Sequence, residues 1–281
     1  MDSDVTLKVF GHKAPDTDST ASPLIWAWYL SEVRGEAAEA RLLGAPNTEA
    51  AFVIDRWGFD TPAIIEDVTA EDRVVIVDTN NPAELPASIN DADIVQIIDH
   101  HKLTGGIETR APIDITIKPL ACTATIMHNL MGSNAERMPN GIKGLMLSCI
   151  LSDTLEFRSP TTTEQDKKLA KDLAAQLEVS IPDYAAEMFA AKSDVSNFSE
   201  AELLRISVLE TTSPAAILDR KDALLTAMPT VAQDDGVDQV LLFVVDILNE
   251  EATLLVPNEL VKTVAEKSFG MTAMGDTVVL P

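Results

Sequence analysis

Three of the four histidines and five aspartates of this 281-residue chain stand where metal chemistry would need them. The clearest group is Asp99-His100-His101, which closes the apolar run Ile94-Val95-Gln96-Ile97-Ile98 with one carboxylate and two adjacent imidazoles. His12 follows a second such run, Leu7-Lys8-Val9-Phe10-Gly11, and Asp78 a third, Val74-Val75-Ile76-Val77. Asp16 and Asp18 come in the turn after His12, and Asp153 ends the apolar stretch from Leu145 to Ser152. Imidazole nitrogen mixed with carboxylate oxygen suits a borderline divalent ion such as Mn²⁺, Co²⁺ or Zn²⁺. Each position also has a plainer reading. A histidine at a strand end is commonly just hydrogen-bonded, Asp-Thr-Asp before a helix is equally an N-cap with a charged neighbour, and Asp78 alone could close a turn. Convergence on the ends of several elements favours the chemical reading, since independent accidents would not all choose one edge.

Positioning these residues falls to an alternating β/α series. Runs of β-branched residues without turn formers read as strands buried on both faces of a parallel sheet, at Leu7–Phe10, Glu39–Leu43, Val74–Val77, Ile94–Ile98 and Ile113–Ile117. Ligands of open α/β sheets sit at the carboxyl edge, where His12, Asp78, Asp99 and His100 would lie. Helices are expected at Thr20–Val33, with Pro23 in the first turn, and at Thr48–Trp57, Thr123–Met131, Asn140–Thr154, Thr163–Leu177 and Pro182–Ala191, with a helical turn near Pro82. A carboxylate closing the Asn140–Thr154 helix opposes the helix dipole and resists burial, and a cation removes both objections. The start of the Thr123 helix offers hydroxyls and backbone N–H groups to an anion; ordinary capping explains it equally well. The fold class expected is α/β: a doubly wound parallel sheet in residues 1–191, a linker at 192–199, and a smaller mixed α/β domain in residues 200–281. In that second domain 203–209 reads as helix or strand. Strands are expected at Ala215–Leu218, Gln239–Leu248, Thr253–Val256 and Thr277–Leu280, and helices at Asp222–Met228 and Glu259–Ser268.

Composition excludes several classes. Lys plus Arg number 21 against 45 Asp plus Glu, a formal net charge of −24. Such a surface repels nucleic acid and anionic membranes, so a phosphate-binding role needs local cations. Apolar residues at 46% and charged residues at 23% describe a globular chain. No apolar run reaches the roughly 20 residues that span a bilayer, and Met1-Asp2-Ser3-Asp4 lacks a basic signal-peptide start, so a cytoplasmic location is expected. Only Cys122 and Cys149 are present, in apolar contexts, and both are expected to stay reduced and unreactive.

The motifs GHKAPDTDS, VDTNN, IIDHH and LMLSCILSDT resemble, in order and spacing, those of the manganese-dependent (family II) inorganic pyrophosphatases of the DHH phosphoesterase superfamily. The likeness runs from about Leu7 to the end. It implies hydrolysis of pyrophosphate to two orthophosphates by a hydroxide that two Mn²⁺ ions activate, with Co²⁺ as a possible substitute and a further Mg²⁺ or Mn²⁺ arriving with the substrate. It also implies a ligand set for each ion: His12, Asp16 and Asp78 for one, Asp18, Asp78 and His100 for the other, with Asp153 serving the pair and Asp78 bridging. His101 would donate a proton, Asp99 would orient a neighbouring histidine, and the chain would form a homodimer through its N-terminal domain. The resemblance weakens in the second domain. Relatives carry a lysine on a Gly/Lys-rich hairpin, expected here at Glu202–Ile206, and a Ser-Arg-Lys triplet, expected at Ala273-Met274-Gly275. Neither is present, and Lys118, Arg158 and Arg205 remain as candidate substrate cations. Pyrophosphate hydrolysis is thus the leading expectation. A DHH phosphoesterase acting on polyphosphate or oligonucleotides, and a metal-binding form with impaired turnover, are the alternatives.

Overall fold

A computed structural model describes residues 5–192 and 199–280. Contacts divide the chain into two compact units between Met188 and Phe189. The first contains β1 (Leu7–Phe10), α1 (Thr17–Trp28), β2 (Ala38–Ala40), α2 (Thr48–Arg56), β3 (Arg73–Val77), β4 (Asp93–Asp99), β5 (Asp114–Ile117), α3 (Thr123–Met131), α4 (Asn140–Asp153), α5 (Glu164–Leu177) and most of α6 (Ile181–Lys192). Its five strands are all parallel in the order β2-β1-β3-β4-β5. The chain leaves β1 towards one side and returns through β3 on the other. A switch point therefore opens between the ends of β1 and β3, where such sheets form their binding crevice.

Both faces of the sheet are covered, by different means. Phe10, Val74, Ile76, Ile94 and Ile97 pack with Val68, Leu85 and Ile89 on one face. That cover is irregular chain with 3₁₀ turns at Pro82–Glu84 and Ile89–Asp91, so the segments after β3 and β4 are not the α-helices an alternating series would bring. Gln96 points the other way and accepts a hydrogen bond from Trp26 Nε1 of α1 (2.8 Å).

Helix α1 begins three residues earlier than its apolar stripe indicates. Asp16 Oδ1 accepts from Ser19 N (3.0 Å) as an N-cap, which puts Pro23 inside the helix rather than in its first turn. The last turn widens into a π-helical stretch, Tyr29–Arg34, that ends on left-handed Gly35. Gly11 matters to the approach of β1: a Cβ there would lie 2.1 Å from Ser19 Oγ, the atom that accepts from His12 N (2.8 Å).

The second unit comprises α7 (Glu200–Ile206), β6 (Val208–Thr211), α8 (Ala215–Leu218), α9 (Lys221–Asp234), β7 (Phe243–Asp246), β8 (Glu251–Leu255), α10 (Glu259–Phe269) and β9 (Thr277–Leu280). Its sheet order is β6-β7-β8-β9, parallel only between β6 and β7. Two expectations fail here. Residues 202–206 form no hairpin: Ser199 and Glu202 make a reciprocal capping box that starts α7. Leu203 and Leu204 are fully buried in the core with Ile217, Leu224 and Leu242. Ala215–Leu218 is a helical turn and not a strand, because Pro214 enters it at φ −59°, ψ −28° and its carbonyl accepts from Leu218 N (2.9 Å). The 203–209 stretch, which reads either way, divides into the end of α7 and the start of β6. The strand expected over Gln239–Leu248 shrinks to Phe243–Asp246. Of the linker expected at 192–199, residues 193–198 lie outside the described residues, while Lys192 ends α6 and Ser199 caps α7.

Candidate metal centre

Strand ends and helix ends bring the predicted ligands together. Asp78 follows β3 with a left-handed backbone (φ 60°), a conformation held by its N–H bonding to Ile98 O (2.9 Å). Strain of this kind survives where surrounding structure enforces it. The turn aims the buried Asp78 carboxylate between two imidazoles: Oδ1 lies 3.3 Å from His100 Nε2 and Oδ2 lies 3.6 Å from His12 Nε2. His12 Nε2 is also 3.8 Å from Asp16 Oδ2. His100 Nδ1 faces Leu120 O (3.2 Å), so that nitrogen carries the proton and Nε2 presents a lone pair inward.

Asp18 occupies the place the sequence suggested for an anion at the start of α3. Thr123 N donates to Asp18 Oδ2 (2.6 Å) and Ser22 Oγ to Oδ1 (2.7 Å), while Thr123 Oγ1 donates to Asp78 Oδ1 (3.1 Å). The carboxylate that caps this helix is therefore also a member of a candidate metal-binding group. Asp153, at the end of α4, joins Asp18 and His100 in a group whose candidate ligand atoms lie within 4.8 Å of one another. His12, Asp16 and Asp78 form a second such group, and Asp78, His100 and His101 a third. Three consecutive non-glycine residues after this helix, Leu155, Glu156 and Phe157, have φ between 47° and 71°. That rare left-handed run turns the chain back beside Asp153.

Asp99 serves the neighbouring loop. Its Oδ1 accepts from His100 N (2.7 Å), His101 N (3.0 Å) and His101 Nδ1 (2.9 Å), and its Oδ2 from Asn80 Nδ2. The hydrogen bond to Asp99 holds the His101 imidazole above its usual pKa against the opposing pull of burial. Burial pushes Asp99 upward, but its donors prevail and hold it below the carboxylate range. A cleft of about 520 Å³ opens here, lined by His100, His101, Leu120, Ala121, Asp153 and Thr161.

The electrostatics fit a cation. Burial, and then the charges of Asp18, Asp16 and Asp153, push Asp78 well above the ordinary carboxylate pKa. Ionised carboxylates this close and this buried resist one another unless a positive ion lies among them. Two imidazole Nε2 atoms facing a shared carboxylate also match the mixed nitrogen and oxygen chemistry of Mn²⁺ or Co²⁺ better than an all-oxygen site.

The candidate cations fare unevenly. Arg158 Nη2 bonds Glu156 Oε2 (2.8 Å) and Arg205 Nη2 bonds Asp235 Oδ1 (3.1 Å), so both already have acidic partners. Arg205 stands on α7 in the second unit. Lys118 directly follows β5, where its N–H bonds Asp99 O (3.2 Å), and its exposed side chain makes no ion pair among the described residues. Met274, in the expected Ser-Arg-Lys segment, is highly exposed in a turn closed by its N–H to Thr277 O (2.8 Å).

Three further polar residues escaped the sequence reading. Asn80 ties Asp99 to the loop through Lys102 O and Thr104 N. Asp166 caps α5 and also accepts from Ala121 N (3.2 Å), which anchors the stretch carrying Leu120 O and Thr123. Glu49 is fully buried in α2. A signal existed for Glu49: it falls on the apolar stripe with Ala50, Val53 and Ile54, where a charge is uncommon.

Comparison with known proteins gives concordant results. The family model for the DHH family, N-terminal domain, matches residues 6–152, and that for the DHHA2 domain matches residues 186–281. A Deinococcus radiodurans protein named probable manganese-dependent inorganic pyrophosphatase is 38% identical, over 98% of this chain and 93% of its own length. A Shouchella clausii protein of the same name is 35% identical, over 97% of this chain and 91% of its own. One solved structure from Methanococcus jannaschii, assigned to the family II inorganic pyrophosphatases, aligns with a TM-score of 0.69 at 28% identity, covering 98% of this chain and 94% of that one.

Proposed function

Because the chain belongs to the DHH family and, within it, to the manganese-dependent inorganic pyrophosphatases, we propose that it hydrolyses pyrophosphate to two orthophosphates with a metal pair held around Asp78. The observation that carries this reading is the Asp78 carboxylate with a different imidazole Nε2 facing each of its oxygens. His12 and Asp16 would complete one ligand set; Asp18, His100 and Asp153 would complete the other. Two Mn²⁺ ions held by these residues would supply Lewis acidity for activating a water and positive charge to offset that of the phosphate. Co²⁺ is the expected substitute, and a further Mg²⁺ or Mn²⁺ would arrive with the substrate.

The chain's own groups do the rest. With Nδ1–H committed to Asp99, which favours the protonated imidazole, His101 can present a proton at Nε2 from its half-exposed ring to the departing phosphate oxygen. Asp99 fixes the tautomer and the ring orientation. Of the three candidate cations, Lys118 is exposed and without an ion pair among the described residues, and so is the one left to meet substrate charge. One observation favours a second reading, at the level of rate: Arg158 and Arg205 are engaged elsewhere, and Met274 stands where a cationic segment is expected. Slow turnover follows if Lys118 alone meets the substrate.

No helix among the described residues is long and apolar enough to cross a membrane. A cytoplasmic enzyme and a homodimer through the first unit complete the proposal. The β5 edge, with Ile115 exposed, supports the dimer. Phosphate release from pyrophosphate, polyphosphate and a dinucleotide, each with Mn²⁺, tests the substrate. Pyrophosphate should be turned over fastest, and preference for either other substrate would replace this reading with the wider DHH phosphoesterase one.

A further inference from the structure

The Glu49 carboxylate is buried at the junction of three helices, yet it has no place in either ligand set. Its Oε1 accepts hydrogen bonds from Thr17 Oγ1 (2.6 Å) and from Ser152 Oγ. Thr17 stands between Asp16 and Asp18 in the first turn of α1. Ser152 immediately precedes Asp153 at the end of α4. One oxygen atom therefore joins the segment that carries two candidate ligands to the segment that carries a third, across 103 residues of sequence between Glu49 and Ser152. The base of α2 is braced against the same turn: Asn47 N donates to Pro15 O (3.0 Å), and Asn47 Oδ1 caps the helix by accepting from Ala50 N (2.8 Å).

Burying a carboxylate is costly, and an apolar residue would fill this junction at less cost unless the oxygen itself were useful. A carboxylate oxygen can accept two hydroxyls at once, and its charge shortens and strengthens both bonds. Hydrophobic packing between α1 and α4 would tolerate small sliding, whereas two directional bonds to one atom do not. The separation of Asp16 and Asp18 from Asp153 is the quantity such a junction fixes.

We propose that Glu49 is a positioning residue for the metal pair: it sets the spacing between Asp16/Asp18 on α1 and Asp153 on α4, and so the affinity of the Asp18, His100 and Asp153 set, without touching substrate. The inference rests on the metal reading given above. Groups that orient metal ligands in this indirect way typically change metal affinity or activity by about 10–100-fold when removed.

Mn²⁺ titration of the metal-free full chain tests it, followed by calorimetry for affinity and stoichiometry and by electron paramagnetic resonance for the coupling between two ions. Wild type should take two ions and show the coupled signal. Glu49→Leu, and separately Ser152→Ala with Thr17→Val, should weaken one of the two ions by about 10–100-fold and diminish that signal. In these variants kcat should fall while KM for pyrophosphate stays near the wild-type value. Glu49→Gln, which keeps an acceptor oxygen, should recover much of the loss. Unchanged affinity and coupling in variants that are merely less stable would overturn the positioning role. Should Glu49→Leu fail to fold, Ser152→Ala alone decides, since it keeps the carboxylate and removes one bond. A wild-type chain that binds no Mn²⁺ would instead bring down the metal reading itself.

Discussion

At the residue scale, Asp78 holds the account together. It sits where two candidate ligand groups meet, its backbone is held in a left-handed turn, and its carboxyl is driven above its usual range by burial and by neighbouring aspartates. Asp78→Asn removes the charge nearest both histidines, and the expected outcome is loss of tight Mn²⁺ uptake along with activity, read by calorimetry and phosphate release. His101→Gln should behave differently, keeping both ions but lowering kcat by about 10²-fold, as suits loss of a general acid. A variant at His101 that lost a metal would assign the residue to the ligands instead. Much of this was legible in the sequence, because His12, Asp78 and His100 each close an apolar strand and strand ends share an edge. Glu49, Asn80 and Asp166 were not read, since their partners lie far away in sequence: Asp166 meets Ala121 and Glu49 meets Ser152.

At the element scale, periodicity worked where runs were long and failed where they were short. The β-branched strands of the first unit and the long helices α4 and α5 were readable because burial repeats over many residues. Four-residue Ala215–Leu218 has no period to read, and the geometry of Pro214 decides its conformation. Residues 202–206 were misassigned for a different reason. A likeness to relatives suggested a hairpin, while the local signal, Ser199 three residues before Glu202, is a capping box. The correction has an energetic consequence. Leu203 is a core residue, so Leu203→Ala should destabilise the second unit by about 2–5 kcal/mol, read from denaturant unfolding. A change below about 0.5 kcal/mol, the range of ordinary surface substitutions, would mean that α7 does not pack as described. A lysine introduced at that position would be buried and could not reach a phosphate.

At the scale of the whole molecule, charge sets the conditions in which the fold works. A net charge of −24 makes the folded chain repel itself, and salt screens that repulsion over a distance of about 10 Å at 0.1 M. The melting temperature should therefore rise between 0.1 M and 1 M KCl, and a fall would show that attractive surface pairs outweigh the repulsion. The same charge opposes the approach of pyrophosphate, so the proposed metal pair would have to supply most of the local attraction. The most direct test follows phosphate release from pyrophosphate, supplied as its Mg²⁺ complex, by chelator-stripped protein as Mn²⁺ is added in measured equivalents. The stripped protein should be inactive, its activity should rise with Mn²⁺ and saturate at two equivalents per chain, and Co²⁺ but not Mg²⁺ alone should restore it. Full activity with Mg²⁺ as the only metal ever present, or saturation at a single equivalent, would contradict the proposed metal pair.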